Sequence, residues 1–135
     1  MTKISQETLI KKANEMLDYA YVPYSKFPVG AAILSKTGEI FTGCNVENSS
    51  YGLSNCAERT AIFKAVSEGS QEFDKMVITG NTDGPISPCG ACRQVISEFC
   101  APDMPVILTN IDGNTKETTV GALLPGAFTP EDLKD

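Results

Sequence analysis

Apolar residues near the start of the chain recur at helical spacing. Between positions 9 and 20 they appear every three or four residues, which places them on one side of an α-helix. Ser5 precedes them and is a typical helix N-cap, and Pro23 ends the run because proline does not continue a helix. The pattern therefore predicts a first helix between Ser5 and Pro23.

Shorter apolar runs bounded by polar turns predict strands. The runs at 29–34 and 40–46 flank a polar turn at 36–38 and together predict a β-hairpin. Two further strands are predicted at 76–79 and 106–109, where the residues are almost all apolar or β-branched.

Two internal helices are predicted, and each begins at a cysteine. One extends from Cys56 to about Gly69, and the other extends from about Cys89 to Phe99. A polar loop precedes each of them. Ligands often bind where such loops enter helix N-termini, so these two positions are candidates for a functional site.

The connection after the fourth strand restricts the topology. Residues 110–114 are too few for a crossover helix, and Asp112-Gly113 favours a tight hairpin. A last strand at 116–120 should therefore run antiparallel to its predecessor, and residues 125–135 should be irregular. The order of elements predicts a helix-covered mixed sheet of the α/β class.

Composition narrows the possible functions. A chain of 135 residues with 41% hydrophobic and 21% charged residues suits a single domain spanning residues 1–135. The net charge of −6, with Arg59 and Arg93 as the only arginines, argues against a nucleic-acid partner and against an anionic membrane surface. Because the chain has no histidine, acid–base chemistry must come from carboxylates, Tyr, Lys or metal-bound water.

The amino terminus and the cysteine count indicate the compartment. The chain begins without a signal-peptide pattern, and no apolar run approaches the roughly 20 residues that would cross a bilayer. Five cysteines are an odd number, which argues against a disulfide framework. We therefore expect a cytoplasmic protein whose cysteines serve as metal ligands, catalytic thiols or small core residues.

Three cysteines and a glutamate lie at the starts of the two internal helices. Cys89 and Cys92 are one helical turn apart, so both sulfurs can face one site, and Cys56 opens the other helix. Helix N-termini favour thiolates, and three thiolates suit zinc with a fourth position open for water. Zinc lowers the pKa of such a water to about 7, and Glu58 is close enough to take its proton. Cys56-x-Glu58 followed by Pro88-Cys89-x-x-Cys92 resembles the signature of zinc nucleobase deaminases, here with cysteine as the first ligand.

Three thiolates give the zinc site a net negative charge, which weakens its pull on the electrons of water. The two helix N-termini offset part of this charge, and Arg59 is the best-placed cation to hydrogen-bond the ligand sulfurs. We therefore expect Arg59 to support zinc retention and turnover. The simpler alternative is a surface arginine that pairs with a nearby glutamate.

Two other interpretations of the cysteines stay open at this point. Cys89 and Cys92 could form a thiol–disulfide redox pair, which would leave Cys56 without a purpose. A structural zinc module is also possible, with Cys44 or Cys100 as a fourth ligand. Otherwise these last two cysteines are most simply small buried apolar residues.

Four separated segments resemble the small homotetrameric cytidine deaminases, and the resemblance extends from about Leu9 to Phe128. The segments are PYSKFPVGAA at 23–32, GCNVEN at 43–48, CAERTA at 56–61 and SPCGACRQ at 87–94. The resemblance implies a three-layer helix–sheet–helix fold with a five-stranded mixed sheet, one zinc ion per chain and a homotetramer. It also implies hydrolytic deamination of cytidine and deoxycytidine to uridine and deoxyuridine plus ammonia, a reaction of pyrimidine salvage.

The resemblance implies the catalytic roles as well. Cys56, Cys89 and Cys92 would hold zinc, and the water that it activates would attack C4 of the pyrimidine. Glu58 would carry the proton from water to ring N3 and then assist the departure of ammonia.

Four positions match the family's contacts within one subunit. Asn45 and Glu47 match residues that hydrogen-bond the ribose hydroxyls, although a turn residue and a loop charge are the simpler alternatives. Phe27 matches an aromatic residue that packs on the pyrimidine, with core burial as its alternative. The backbone of Ala57 is expected to meet the polar edge of the base.

Tyr51 and Phe128 match positions that reach a neighbouring subunit's site in the family tetramer, although Phe128 could instead cover its own core. A free nucleoside is the expected substrate, because no basic run could hold a nucleic-acid backbone. Blasticidin S deaminase shares the zinc pattern and is the nearest alternative. Phe27 and the segment Asn45-x-Glu47 favour cytidine.

Overall fold

The computed structural model describes residues 5–84, 86 and 90–125, with the backbone alone described at positions 51, 90 and 91. Over these residues the chain forms five β-strands and four α-helices. In chain order they are α1 (Gln6–Glu15), β1 (Val29–Ser35), β2 (Ile40–Cys44), α2 (Ala57–Ser67), β3 (Phe73–Gly80), α3 (Gly90–Phe99), β4 (Pro105–Leu108), β5 (Lys116–Thr119) and α4 (Val120–Leu123). Apart from α4, this is the order that the hydrophobic pattern predicts.

The strands form one mixed sheet in the spatial order β2-β1-β3-β4-β5. Strand β1 is antiparallel to both β2 and β3, whereas β3 and β4 are parallel. The short connection after β4 returns the chain antiparallel to it as β5, with Val106 opposite Thr118. Gly113 in this connection has a φ of +87°, which glycine adopts without strain. The predicted mixed sheet and its antiparallel last pair are confirmed.

Helices cover both faces of the sheet because successive strand residues point to opposite sides. On one face, Leu9 and Ala13 of α1 pack with Ala32, Val77 and Ile107 of three adjacent strands. On the other face, α2 and α3 cover the strand residues of opposite parity in a larger core. The predicted three-layer helix–sheet–helix architecture is confirmed.

The first helix begins where the sequence predicts and ends earlier. The Ser5 side chain caps α1 by accepting a hydrogen bond of 3.2 Å from the backbone N–H of Thr8. The prediction that the helix continues to Pro23 is wrong, because a 3₁₀ turn at Met16–Tyr19 follows α1 and the chain then becomes extended. The extended chain lets Tyr21 pair with the end of the β-hairpin.

The carboxyl-terminal part of the described chain also differs from the prediction. Thr119 caps a single turn of helix, α4, by accepting from the backbone N–H of Ala122 at 3.2 Å, where the sequence predicts the end of the last strand and no helix. Val120 and Leu123 of this turn are buried against the larger core. The expectation of irregular structure up to Asp135 falls mostly on residues 126–135, which lie outside the described residues.

One edge of the sheet collects the segments that carry the predicted site. Val29 at the start of β1 lies opposite Gly80 at the end of β3, and Gly30 lies opposite Cys44 at the end of β2. Strand β4, parallel to β3, ends at the same edge. We call it the site edge, since the chain leaves β2 and β3 there on its way to the amino ends of α2 and α3.

Candidate active site

Helix α2 begins with Cys56 as its N-cap. Cys56 is in extended conformation, with φ of −80° and ψ of 158°, while its carbonyl already accepts from the backbone N–H of Thr60 at 3.0 Å. The thiol therefore lies beside the first-turn N–H groups that have no intrahelical partner, where the helix dipole favours negative charge. This environment favours the thiolate of Cys56.

Arg59, one turn along α2, lies against the thiols. Its Nη2 donates to Cys56 Sγ at 3.3 Å. Hydrogen bonding to Cys56 and the negative charge of both Cys56 and Cys92 raise the pKa of Arg59, although partial burial opposes the shift. Among the described residues, nothing accepts a hydrogen bond from its buried Nε–H. A cation with spare donor capacity thus lies beside two sulfurs.

Glu58 is the buried carboxyl group of this region, with only 3% of its surface exposed. Burial raises the pKa of Glu58, and the negative charge of Cys56 adds to the rise. Its own backbone N–H and a hydrogen bond with Cys92 oppose the shift. A carboxyl group in this environment can hold and release a proton nearer to neutral pH than an exposed one can.

The residues at the starts of α2 and α3 fit a divalent metal ion that prefers thiolate ligands. Cys56 from α2 and Cys92 from α3 both act on Arg59 and Glu58, so the two helices bring these thiols to one place. A guanidinium that donates to sulfur is suited to thiolates rather than to neutral thiols. Cys89 lies outside the described residues, and within them no three Cys, Asp or Glu side chains form a metal-binding group. The donor set is the one that zinc prefers.

Two further cysteines are described, Cys44 at the end of β2 and Cys100 directly after α3. Both are buried free thiols. Burial raises the pKa of Cys44, and it raises the pKa of Cys100 to about 12. Both therefore stay protonated near neutral pH, which makes them poor candidates for a fourth zinc ligand.

Asn45 follows β2 directly at the site edge, and its side chain holds the chain that enters β1. Its Oδ1 accepts from the backbone N–H of Val29 at 2.9 Å, and its Nδ2 donates to the carbonyl of Phe27 at 2.9 Å. Each of these atoms has a second hydrogen-bonding position by its chemistry. Asn45 therefore joins the two segments that the sequence predicts to contact substrate.

Glu47 binds the same entering segment two residues further on. Its Oε1 accepts from the backbone N–H groups of Tyr24 and Ser25, at 3.1 Å each, and its Oε2 accepts from the Ser25 hydroxyl. These hydrogen bonds, with the Ser25 hydroxyl first, lower the pKa of Glu47. The carboxylate is therefore ionised at neutral pH.

Phe27 has 38% of its surface exposed, a large fraction for an aromatic side chain. It precedes β1 at the site edge and is not part of the core, so core burial does not explain it. An exposed aromatic ring beside Asn45 is suited to packing on a flat ligand.

A bridge connects this segment to the start of α2. The backbone groups of Val46 and Asn55 exchange two hydrogen bonds, at 2.9 and 2.8 Å, which closes the intervening loop. The Asn55 side chain then donates to Thr60 of α2 at 3.0 Å. Asn45 and Cys56 are the chain neighbours of the bridged pair, so the structure brings the predicted sugar contacts beside Cys56, one of the predicted metal ligands.

The remaining predicted positions divide into two groups. Ala57 is fully buried in the first turn of α2, where backbone N–H groups lack intrahelical partners. Cys89, Phe128 and the side chain of Tyr51 lie outside the described residues.

Asn110 is a residue of this edge that the sequence does not single out. It is fully buried after β4, and its Nδ2 donates to the carbonyls of Thr82 and Asp83 at 2.8 and 3.2 Å. Its Oδ1 accepts from the backbone N–H groups of Asp112 and Asn114 at 3.1 and 2.9 Å. Asn110 thus ties the loop after β3 to the β4–β5 hairpin. The only sequence signal is an asparagine just before Asp-Gly, which is common in turns.

A mixed sheet between helices, with thiols and a buried carboxyl group at two helix starts, defines the class of zinc-dependent deaminases. Residues 3–108 match the model of the cytidine and deoxycytidylate deaminase zinc-binding region. The chain belongs to this family.

Individual relatives agree with the family assignment. A cytidine deaminase from Sporosarcina psychrophila is 60% identical over 127 residues, covering 94% of this chain and 93% of the relative. One from Halalkalibacterium halodurans is 52% identical over 132 residues, covering 98% of this chain and all of the relative. The crystal structure of cytidine deaminase from Burkholderia pseudomallei superposes with a TM-score of 0.90 at 50% identity, covering 93% of this chain and 100% of that chain.

Two further findings concern the blasticidin S deaminase alternative and membrane-spanning helices. A blasticidin-S deaminase from Bacillus cereus is 36% identical over 136 residues, covering 93% of this chain and 95% of the relative. It is thus more distant than the cytidine deaminases above. Among the described residues, no helix is both long and apolar enough to cross a membrane.

Proposed function

We propose that this chain is a zinc-dependent cytidine deaminase that hydrolyses cytidine and deoxycytidine to uridine and deoxyuridine plus ammonia. The observation that carries the proposal is the buried Glu58, which lies among Cys56, Cys92 and Arg59 at the start of α2. High identity to cytidine deaminases over nearly the full chain supports it.

Three cysteines would hold the zinc ion: Cys56, Cys89 and Cys92. Bound zinc supplies an activated water as the nucleophile for C4 of the pyrimidine. Arg59 donates to Cys56 and offsets the negative charge that the thiolates bring together. One ion per chain follows from one such set of cysteines.

Glu58 is the proposed proton carrier. Its burial keeps competing water away and raises its pKa, so it can take a proton at one stage and release it at another. It would deliver the proton to ring N3 and then assist the departure of the amino group as ammonia. Backbone N–H groups at the start of α2, including that of Ala57, are suited to the polar edge of the base.

Asn45, Glu47 and Phe27 would bind the nucleoside. The first two present a carboxamide and an ionised carboxylate beside the α2 start. The carboxamide can accept or donate a further hydrogen bond with a sugar hydroxyl, and the carboxylate can accept one. The half-exposed ring of Phe27 would pack on the pyrimidine. Tyr51 and Phe128 would complete a neighbouring subunit's site in a homotetramer.

The wider setting follows from the same chemistry. A site of reduced thiolates suits the cytoplasm, where thiols are kept reduced, and deamination of free nucleosides is a reaction of pyrimidine salvage. We propose a single catalytic domain over residues 1–135. A redox role for Cys89 and Cys92 is not favoured, because it gives Glu58 and Arg59 no task.

An ultraviolet assay of cytidine turnover, combined with metal analysis, tests the proposal. We expect zinc in the purified protein and loss of cytidine absorbance. Glu58→Ala and Glu58→Gln should lower kcat by about 100- to 10,000-fold while zinc content stays the same. Glu7→Gln is the matched control, because Glu7 lies in the first turn of α1 but is exposed.

Three outcomes would contradict the proposal. Active protein without zinc would exclude the metal mechanism, and wild-type turnover in Glu58→Ala would exclude the proton carrier. Reaction with disulfide substrates in place of cytidine would favour the redox alternative.

A further inference from the structure

The hydroxyl of Ser25 lies between the two segments that would bind the nucleoside. Its Oγ donates to Glu47 Oε2 and accepts from the backbone N–H of Phe27 at 3.1 Å. One side chain thus joins the carboxylate proposed for the sugar to the backbone of the residue proposed for the base.

The hydrogen bonds to Glu47 leave its carboxylate few free acceptor positions. An ionised carboxylate offers about four acceptor positions. Described residues use two positions on Oε1, through the N–H groups of Tyr24 and Ser25, and one position on Oε2, through the Ser25 hydroxyl. A single further hydroxyl can therefore be accepted at Oε2. The direction of that acceptor position depends on how Ser25 holds the carboxylate.

The backbone of Phe27 is held on both sides by the same network. Its N–H donates to Ser25 Oγ at 3.1 Å, and its carbonyl accepts from Asn45 Nδ2 at 2.9 Å. The preceding residue, Lys26, has a φ of +60°, a conformation that non-glycine residues adopt only when their surroundings require it. The hydrogen bonds of Ser25 and Glu47 hold this turn together with a backbone hydrogen bond from the N–H of Lys26 to the carbonyl of Val22 at 3.0 Å.

We propose that Ser25 is a positioning residue that orients Glu47 toward one sugar hydroxyl and fixes Phe27 over the base, so that sugar and base are recognised by one hydrogen-bonded unit. The inference rests on the proposed function, since it assigns a role within the nucleoside site. Ser25 touches neither the thiols nor Glu58 through any of these bonds. Its loss should therefore weaken substrate binding and leave the chemical step intact.

Ser25→Ala tests the inference with three substrates: cytidine, 2′-deoxycytidine and 2′,3′-dideoxycytidine. We expect KM for cytidine to rise about tenfold or more, as for loss of a hydrogen bond to a charged group. We expect kcat to stay within about twofold and zinc content to be unchanged. The penalty in kcat/KM should shrink to less than about threefold with 2′,3′-dideoxycytidine, which lacks the 2′- and 3′-hydroxyls and keeps only the 5′-hydroxyl. Comparison with 2′-deoxycytidine then identifies which sugar hydroxyl donates its hydrogen bond to Glu47.

Two variants control the experiment. Ser54→Ala removes another loop hydroxyl, which accepts from the backbone N–H of Asn48 at 3.0 Å and makes no bond to Glu47, so its KM should match wild type. Ser25→Thr keeps the hydroxyl and should restore KM. If Ser25→Ala unfolds, Ser25→Cys replaces it, because a thiol fills the space but donates weakly.

The outcomes separate the inference from the proposed function. Equal losses on all three substrates, or a fall in kcat with unchanged KM, would show a merely structural serine and overturn the inference. A wild-type protein that deaminates none of the substrates would overturn the proposed function, and the inference with it. Wild-type turnover with an unchanged KM in Ser25→Ala would overturn the inference alone.

Discussion

The Arg59 guanidinium offsets the negative charge that cysteine ligands bring to the proposed zinc site. A chain without histidine must bind zinc through sulfur and oxygen, and its thiolates accumulate negative charge. Arg59 donates to Cys56 and has a further buried N–H donor, Nε, without an acceptor among the described residues. The same helix that presents the Cys56 thiol thus presents the cation that balances it.

Replacing Arg59 by glutamine should weaken zinc retention. We expect zinc loss to a chelator to become about 10- to 100-fold faster and kcat/KM to fall by a similar factor, because a group that hydrogen-bonds a metal ligand is removed. Arg59→Lys should be intermediate, since lysine keeps the charge but not the planar donor geometry. Lys64→Gln, on the exposed last turn of α2, is the control. Unchanged zinc content and rate in Arg59→Gln would contradict the role.

Glu47 should titrate below the ordinary glutamate value of 4.5, because hydrogen bonds from Ser25 and Tyr24 favour its ionised form. Its bonds should therefore persist as the pH falls from 7 to 4.5 and break only as the pH passes below the lowered pKa. Amide NMR shifts of Tyr24 and Ser25 report this transition. In Ser25→Ala the midpoint should move upward toward 4.5. A wild-type midpoint at or above 4.5 would contradict the expected direction.

At the scale of elements, the contact between β2 and α2 decides where Cys56, one of the proposed metal ligands, lies. A Cβ on Gly43 would come within 2.5 Å of both the Ala57 carbonyl oxygen and the Ala61 nitrogen. The strand therefore touches the helix backbone directly at the turn that follows Cys56. Glycine is required here by the close approach of the two backbones.

Gly43→Ala should displace the start of α2. We expect a loss of about 1–3 kcal/mol in the free energy of unfolding, because an added methyl group in a tight contact forces the backbones apart. Urea unfolding measures this loss, and chelator challenge should show faster zinc release. Gly52→Ala is the control, since its Cβ would meet no described atom within 4 Å. Equal stability of the two variants would contradict the contact.

At the scale of the whole molecule, exposed apolar side chains are consistent with the proposed tetramer. Leu53 is 72% exposed, and Phe63 on the outer side of α2 is 46% exposed. Light scattering should give four times the mass of one chain. Phe63→Asp should shift the assembly to smaller species, whereas Lys64→Asp, at the neighbouring exposed position, should not. A wild-type monomer, or a tetramer that Phe63→Asp leaves intact, would contradict this expectation.

The sheet was largely predictable because its central strands bury both faces. The runs that became β1, β3 and β4 are nearly continuous apolar segments, and the hairpin at Gly113 follows from local turn chemistry. The polar start of β3 and the four-residue helix α4 were missed, because short or mixed-polarity segments carry little periodicity.

The candidate site was predictable only where chemistry is encoded by spacing. Cys56 and Glu58, and likewise Cys89 and Cys92, are separated by short, characteristic spacings, which can be recognised in the sequence without a structure. Ser25 and Asn110 act through partners 22 and 28 positions away, on segments that meet only once the sheet has formed. No local sequence pattern specifies such pairings, so the roles of these two residues can be recognised only in the folded structure.

The outermost strand, β5, has a consequence for how copies of the chain meet. Its four residues are Lys, Glu, Thr and Thr, and the first two are exposed. A sheet edge offers unpaired backbone groups to any other extended chain, and charged side chains on a short strand make that addition unfavourable. A short, charged β5 therefore disfavours the addition of another chain's strand at this end of the sheet, including during folding. In the proposed tetramer, exposed side chains such as Phe63 rather than backbone pairing would then direct association.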